Sequence, residues 1–405
     1  MRLQTRPHIH WINDIVLTPD NSAIVSASSD LNVKLWRPHS ASKSDVHTIG
    51  QHTDYVKCVA SPAAGQAGAG EWIASGGLDR KVQLWDLSGM GSILEIDTGA
   101  EGVREKGSIY ALDVGPGLIA SGGPNQIVTL WDPRSGNKIN NLIGHTDLVR
   151  SVLIDALGDT LLTASSDNTV KVWSTKSFKC INTLYMHEAS VWSLHSTDRH
   201  LRVFHSADSS GVVAKTDIRY ADMYANDGAS VAVAHEHGGV VSLVGDGGDI
   251  WTGTSRPCLN RWTDVNLEDL TESHGRKSSA ATYRAPRHDL VQSDPQAFPP
   301  EAILSLTSIV DVELTEEEAS RVVPIRPCPS ETIVGASGIV RARFLKDRRS
   351  VLSLDTEGEV ALWDVLQVSG VGLYKITVHV KLTITRSVGM SSPLENSHSK
   401  RYRLR

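Results

Sequence analysis

Two sets of side chains in this chain combine an imidazole, a hydroxyl and a carboxylate: His52, Ser75 and Asp79, and His145, Thr163 and Asp167. Such groups invite a catalytic or metal-binding reading. Their spacing points elsewhere. In both sets the Asp stands four residues after the hydroxyl and an indole follows six residues later, at Trp85 and Trp173, and Ser26, Asp30 and Trp36 repeat that spacing. An indole N–H only donates, so the hydroxyl can satisfy it and bond onward to the imidazole and the carboxylate. Asp30, Asp79 and Asp167 are each a whole repeat or more apart and cannot pair as general acid and base. The pairs His8-Ile9-His10 and His235-Glu236-His237 lack further ligands and read as surface features, so neither metal nor cofactor is expected. Gly245 to Asp249 and Gly370 to Gly372 lack the Lys-Ser/Thr ending of a phosphate loop and read as hairpin turns.

The element that must position these groups is a pair of short strands around a tight turn, seen most plainly from Ile73 to Asp86. Weaker copies keep the offsets. Ile119 to Trp131 has Ser121 with Asn125 at the Asp position; Val203 to Asp217 has Ser206, Ser210 and Thr216 in place of hydroxyl, Asp and Trp. Thr252, Arg256 and Trp262 form another, and Ser353, Glu357 and Trp363 the last. Most of the anchor spacings fall in the forties, the period of a four-stranded WD-repeat blade. The fold expected is all-β, a WD-repeat β-propeller with seven recognisable blades, each covering its apolar faces against its neighbours. Gly144-His145-Thr146-Asp147 and its counterparts at His52 and His187 supply the other half of the signature, and His10-Trp11-Ile12 reads as a shortened version.

The propeller is expected over 1–366, with an acidic, partly disordered insert at about 265–332 that has room for a short helix at 300–308 or 314–322. In the off-pattern tail, 367–405, Leu373 to Thr385 alternates like an outer strand and the basic end reads as disordered. A net charge of −6 indicates solubility more than any partner, and no nucleic-acid partner is expected. Four scattered cysteines without a C-x-x-C pair, and no long apolar run, suggest a cytoplasmic or nuclear protein that neither enters nor spans a membrane.

One position stands out without reference to any family. The residue after the apolar start of each inner strand is Asn13, Lys57, Tyr110, Arg150, Trp192, Ser242 and Arg341 in turn, near the mouth of the ring. Arg beside Trp on adjacent blades combines the residue types that most often carry interface energy, at about 2 kcal/mol or more each when buried.

His10 to Leu17, Ser26 to Asp30, Asp54 to Lys57, Ala74 to Arg80, Ser108 to Leu112, Trp131-Asp132-Pro133-Arg134, Val191 to Leu194, Thr216-Asp217-Ile218-Arg219 and Ala361 to Leu366 resemble the WD-repeat activator subunit of ubiquitin-specific proteases. The resemblance implies a docking platform that grips the protease catalytic domain, with a second WD-repeat subunit as a further partner and no enzymatic activity of its own. It places partner contacts at Arg150 and Trp192, and we add Tyr55, Lys57 and Tyr110 beside them. It also implies an arginine in the following turn, where this chain has Ser209. That family has eight blades, then ancillary and ubiquitin-like domains; the first blade and those domains are expected to be missing here. Blades shaped for eight would leave a gap in a ring of seven. Trp131-Asp132-Pro133-Arg134 also fits the box of cullin-ligase substrate receptors, the competing function.

Overall fold

The computed structural model describes residues 5, 7–40, 46–63, 71–88, 91–99, 107–219, 229–267, 324–335, 339–344, 350–355, 360–364 and 376–377. The strands form four-stranded antiparallel sheets in simple up-and-down order. In blade 2, Val56–Ala60 is the inner strand, followed outward by Trp72–Gly77, Lys81–Asp86 and Gly91–Asp97.

Six such sheets make up one compact unit, Met1–Gly335. Five apolar clusters join them in series, each built from two successive blades. Trp85, Trp131, Trp173 and Trp262 each enter the cluster shared with the preceding blade. Seven blades were expected and six are joined this way. The seventh repeat, Ile339–Phe344, Ser350–Asp355, Val360–Asp364 and Ile376–Thr377, forms a four-stranded sheet in a separate unit, Ala336–Arg405. Among the described residues its outer strand pairs Ala361 with Thr377 and Leu362 with Ile376. On blade 1, Ile15 and Leu17 of the inner strand Ile12–Leu17 are exposed.

The insert interrupts a blade rather than separating two. The outer strand of blade 6, Glu331–Val334, pairs with Cys258–Thr263, so the long excursion leaves after the third strand and returns to complete the sheet. On the way back, Ile325 N–H and Arg326 N–H donate to Ala232 and Val233 of blade 5. The helices suggested for the insert and the basic end lie outside the described residues.

The turn between the second and third strands explains the Asp spacing. Leu31, Arg80, Gln126 and Asn168 adopt φ between 65° and 71°, and each follows the Asp or Asn of its repeat. That preceding side chain accepts the N–H two residues on, Asn32, Lys81, Ile127 and Thr169 respectively, which closes the turn.

Packing around the indole constrains the outer strand. A Cβ on Gly50 would lie 2.5 Å from the ring of Trp85, and one on Gly144 would lie 3.0 Å from Trp173. Blade 5 has Thr216 where the indole belongs, and Met186 replaces the glycine. The Met186 thioether there accepts from the hydroxyls of Thr216 and Ser206, at 2.9 and 3.3 Å. Gly50→Ala is expected to destabilise by about 1–3 kcal/mol through overpacking. An unchanged urea midpoint would show that the indole does not fill this space.

Candidate functional site: the channel mouth

Among the described blades the polar network recurs with variations. In blade 2, Trp85 Nε1 donates to Ser75 Oγ at 2.7 Å, and His52 Nε2 lies 2.7 Å from the same hydroxyl. His52 Nδ1 stands 2.9 Å from Asp79 Oδ2. A carboxylate only accepts, so a neutral His52 carries its proton on Nδ1 and accepts the Ser75 hydroxyl at Nε2. Blade 4 repeats this through Trp173, Thr163, His145 and Asp167, at 2.8, 2.6 and 2.7 Å. In blade 3, Trp131 Nε1 donates to Ser121 at 2.8 Å.

Three blades solve the same problem differently. In blade 1, His8 rather than His10 bridges Ser26 Oγ and Asp30 Oδ2, at 2.7 and 2.8 Å, so His8 is not a surface chelator. Trp36 pairs in register with Ile24 and Val46. In blade 5, His187 bridges Ser206 and Asp208, and Ser210 donates to Asp208 instead of taking the carboxylate's place. In blade 6 one carboxylate replaces both imidazole and Asp. Buried Glu236 accepts from Thr252 Oγ1, from Trp262 Nε1 at 3.1 Å and from Asn260 Nδ2 at 2.9 Å. Arg256 stays exposed. Among the described residues no three His, Cys, Asp or Glu side chains could hold a metal ion, and no helix is long and apolar enough to cross a membrane.

At the mouth itself the structure adds a feature hidden in the sequence: a bulge in the inner strand. Pairing slips between Ile12 and Asp14, Val56 and Cys58, Val149 and Ser151, and Val191 and Ser193. The residues left over are Asn13, Lys57, Arg150 and Trp192. The same slip falls between Val240 and Ser242 and between Ile339 and Arg341, so Val241 and Val340 occupy the positions assigned to Ser242 and Arg341. A bulge leaves its extra residue out of the ladder and re-aims its side chain.

These side chains meet from blade to blade. Asn13 Nδ2 donates to Val56 O at 2.6 Å. The Lys57 ammonium lies 5.9 Å from the Tyr110 ring centroid, and the Arg150 guanidinium 5.3 Å from that of Trp192. The Trp192 ring reaches blade 6, where a Cβ on Gly239 would meet it at 2.8 Å. Arg150 spends Nε on Ser166 Oγ at 2.8 Å, and the buried Trp192 Nε1 has no partner among the described groups. Burial lowers the pKa of Arg150, opposed by Asp147 and Tyr110. Tyr55, two residues before the bulged Lys57, is 42% exposed and stacks on His10 at 5.8 Å. Ser209 N–H donates to Ser190 O, so that turn brings no cation.

Inner strands are also stapled across blade boundaries. Asp14 accepts from Val59 N–H at 2.9 Å, and Asp113 from Ile154 N–H at 2.7 Å. Burial raises Asp14 to about 6 and Asp113 to about 7, against the pull of those N–H donors. Both keep some accessible surface, which moderates the effect. An acid whose folded pKa is raised holds its proton longer in the native state, so stability falls as pH rises from about 4 to about 7. Asp113→Asn should flatten that slope in thermal melts across pH 4–8; an unaltered slope would remove Asp113 as its source.

Repeated four-stranded blades, with a polar network recurring among the described ones, define a WD-repeat β-propeller. The chain carries WD40 repeats: residues 2–37, 43–86 and 136–174 match the family described as WD domain, G-beta repeat. Among solved structures it is similar to U3-55K, with 22% identity, a TM-score of 0.52, and coverage of 64% of this chain and 79% of that one; this likeness speaks for the fold.

Proposed function

We propose that the chain is a non-catalytic scaffold that binds the catalytic domain of a ubiquitin-specific protease at the propeller mouth and raises its activity. The observation that carries this reading is the Arg150–Trp192 pair, a guanidinium 5.3 Å from an indole centroid on adjacent blades, both side chains only half-buried. Lys57, Tyr110 and Tyr55 extend the surface on the blade 2 side, with a second WD-repeat subunit as a further partner. WD40 propellers generally act as non-catalytic interaction scaffolds. Activation requires only that the platform bind the competent protease conformation better than the idle one. A cytoplasmic or nuclear location agrees with this role.

A second reading rests on Arg134. Its side chain is exposed while Asp132 binds Ser135, whereas Arg219, in the similar Thr216-Asp217-Ile218-Arg219, is held by Asp217. That leaves Arg134 free to meet the adaptor of a cullin-type ligase. Affinity capture separates the two. Recovery of a ubiquitin-specific protease supports the first; recovery of the adaptor, lost on Arg134→Ala, supports the second and overturns the first.

A further inference from the structure

At the end opposite the mouth, each inner strand turns back into its second strand, and these turns differ in charge. Blade 1 has Asp20 there, blade 3 has Pro116-Gly117, and blade 6 has Asp246-Gly247-Gly248-Asp249. Among the described turns only that of blade 5 is basic: Arg199, His200 and Arg202 lie between Val191–His195 and Val203–Asp208. The fold needs other residues of this turn. Asp198 closes it, its carbonyl accepting Leu201 N–H at 3.1 Å and its carboxylate accepting His200 N–H at 3.2 Å and Arg202 N–H at 2.9 Å. Leu201, at φ 55°, is buried in the apolar cluster shared with blade 4. Arg199, His200 and Arg202 are exposed, and neither guanidinium has an ion pair among the described residues.

An apolar contact stands beside these cations. The corresponding turn of blade 4 is tied on by Ala156 N–H, which donates to Arg199 O at 2.9 Å, and the next residue, Leu157, is 61% exposed. Gly158, at φ 75°, closes that turn by donating its N–H to Asp155 O, so the leucine side chain is not what holds it. The acids nearby are engaged: Asp198 with the two N–H groups above and the adjacent His200, Asp159 with Lys176 at 2.7 Å, and buried Asp155 with Thr160 N–H.

We propose that these two turns form a second docking surface, for a segment of a partner protein in which an apolar residue is flanked by carboxylates. The planar guanidinium fork matches carboxylate oxygens, and the partner's apolar side chain covers Leu157. Charge complementarity selects the occupant, since the patch is cationic in a chain of net charge −6. The exposed leucine favours a peptide over a nucleic acid, whose phosphates would leave it uncovered. This surface lies at the far end of the inner strands from Arg150 and Trp192 and does not depend on what binds there.

The test uses the full chain and a fluorescein-labelled eight-residue peptide with a central leucine flanked by aspartates, read by anisotropy and amide exchange. An asparagine version and a single-stranded oligothymidylate are the comparisons. Saturable binding of the acidic peptide is expected, with slowed exchange in 156–158 and 199–202, and it should weaken as salt rises from about 50 to about 300 mM. The double variant Arg199→Glu, Arg202→Glu should weaken binding at least about tenfold, and Leu157→Ser about threefold or more, with the melting temperature unchanged. Arg150→Glu with Trp192→Ala should leave it unaltered, which separates this surface from the mouth. Absence of binding, equal binding of the asparagine peptide, full binding by the folded double variant, or displacement of the peptide by the oligothymidylate at lower concentration would overturn the proposal.

Discussion

The double variant Arg150→Glu, Trp192→Ala is expected to weaken capture of a ubiquitin-specific protease catalytic domain by more than about a hundredfold while leaving the propeller folded. Two interface anchors at about 2 kcal/mol each would give roughly a thousandfold if additive, and the smaller figure allows for their coupling. Reversal of charge at 150 also sets a carboxylate against whatever acid the guanidinium met. The fold tolerates the change because Arg150 is a bulge residue whose one side-chain bond goes to Ser166, and because loss of the Trp192 indole orphans no partner. Titration by biolayer interferometry beside a thermal melt checks both halves. Unchanged affinity in a folded variant would clear the mouth of any role.

The second large effect is structural. Asp79→Ala should destabilise by about 2–4 kcal/mol, since His52 Nδ1, Thr53 N–H and Lys81 N–H all lose their acceptor in a site where the carboxylate is only 3% exposed. Ser75→Ala, which strands Trp85 Nε1 and His52 Nε2, should be markedly non-additive with it, because both act on one chain of bonds. Acid should act on the same sites. Burial alone would raise Asp79, Asp167 and Asp208, but the imidazole beside each, with hydroxyl and backbone donors, holds it below the usual carboxylate range. A depressed folded pKa means the stabilisation is complete above about 4 and is lost as pH falls through the lower, folded values. Asp14 and Asp113 act oppositely between about 4 and 7, so stability should peak in mildly acidic solution. Urea midpoints from pH 2 to 8 test this; a maximum near pH 8 would contradict it.

The strongest repeats were legible because their polar network is written at constant offsets. Trp85 and Trp173 stand in equivalent strands with the hydroxyl, imidazole and carboxylate named from spacing alone. Where the network is kept in space but not in sequence, linear counting failed. Asp208 reaches His187 from two residues after Ser206 rather than four, His8 does the work expected near His10, and Glu236 alone replaces two groups. The bulge misled in the same way. It takes up one residue in six of the inner strands, and counting placed that residue at Ser242 and Arg341 where pairing gives Val241 and Val340. The interrupted blade escaped because the four-residue return strand Glu331–Val334 is too short to show a period. The count of seven came from repeats; six of the four-stranded sheets lie in the unit Met1–Gly335, and the seventh repeat forms its sheet in Ala336–Arg405.

The most direct test of the scaffold reading is turnover. The catalytic domain of a ubiquitin-specific protease would be assayed on a fluorogenic ubiquitin conjugate, alone and with saturating amounts of this chain or of the Arg150→Glu, Trp192→Ala variant. A rise in kcat/KM of about tenfold or more with the native chain, and none with the variant, is the predicted result. Equal rates in all three reactions, with the native chain demonstrably folded, would contradict it.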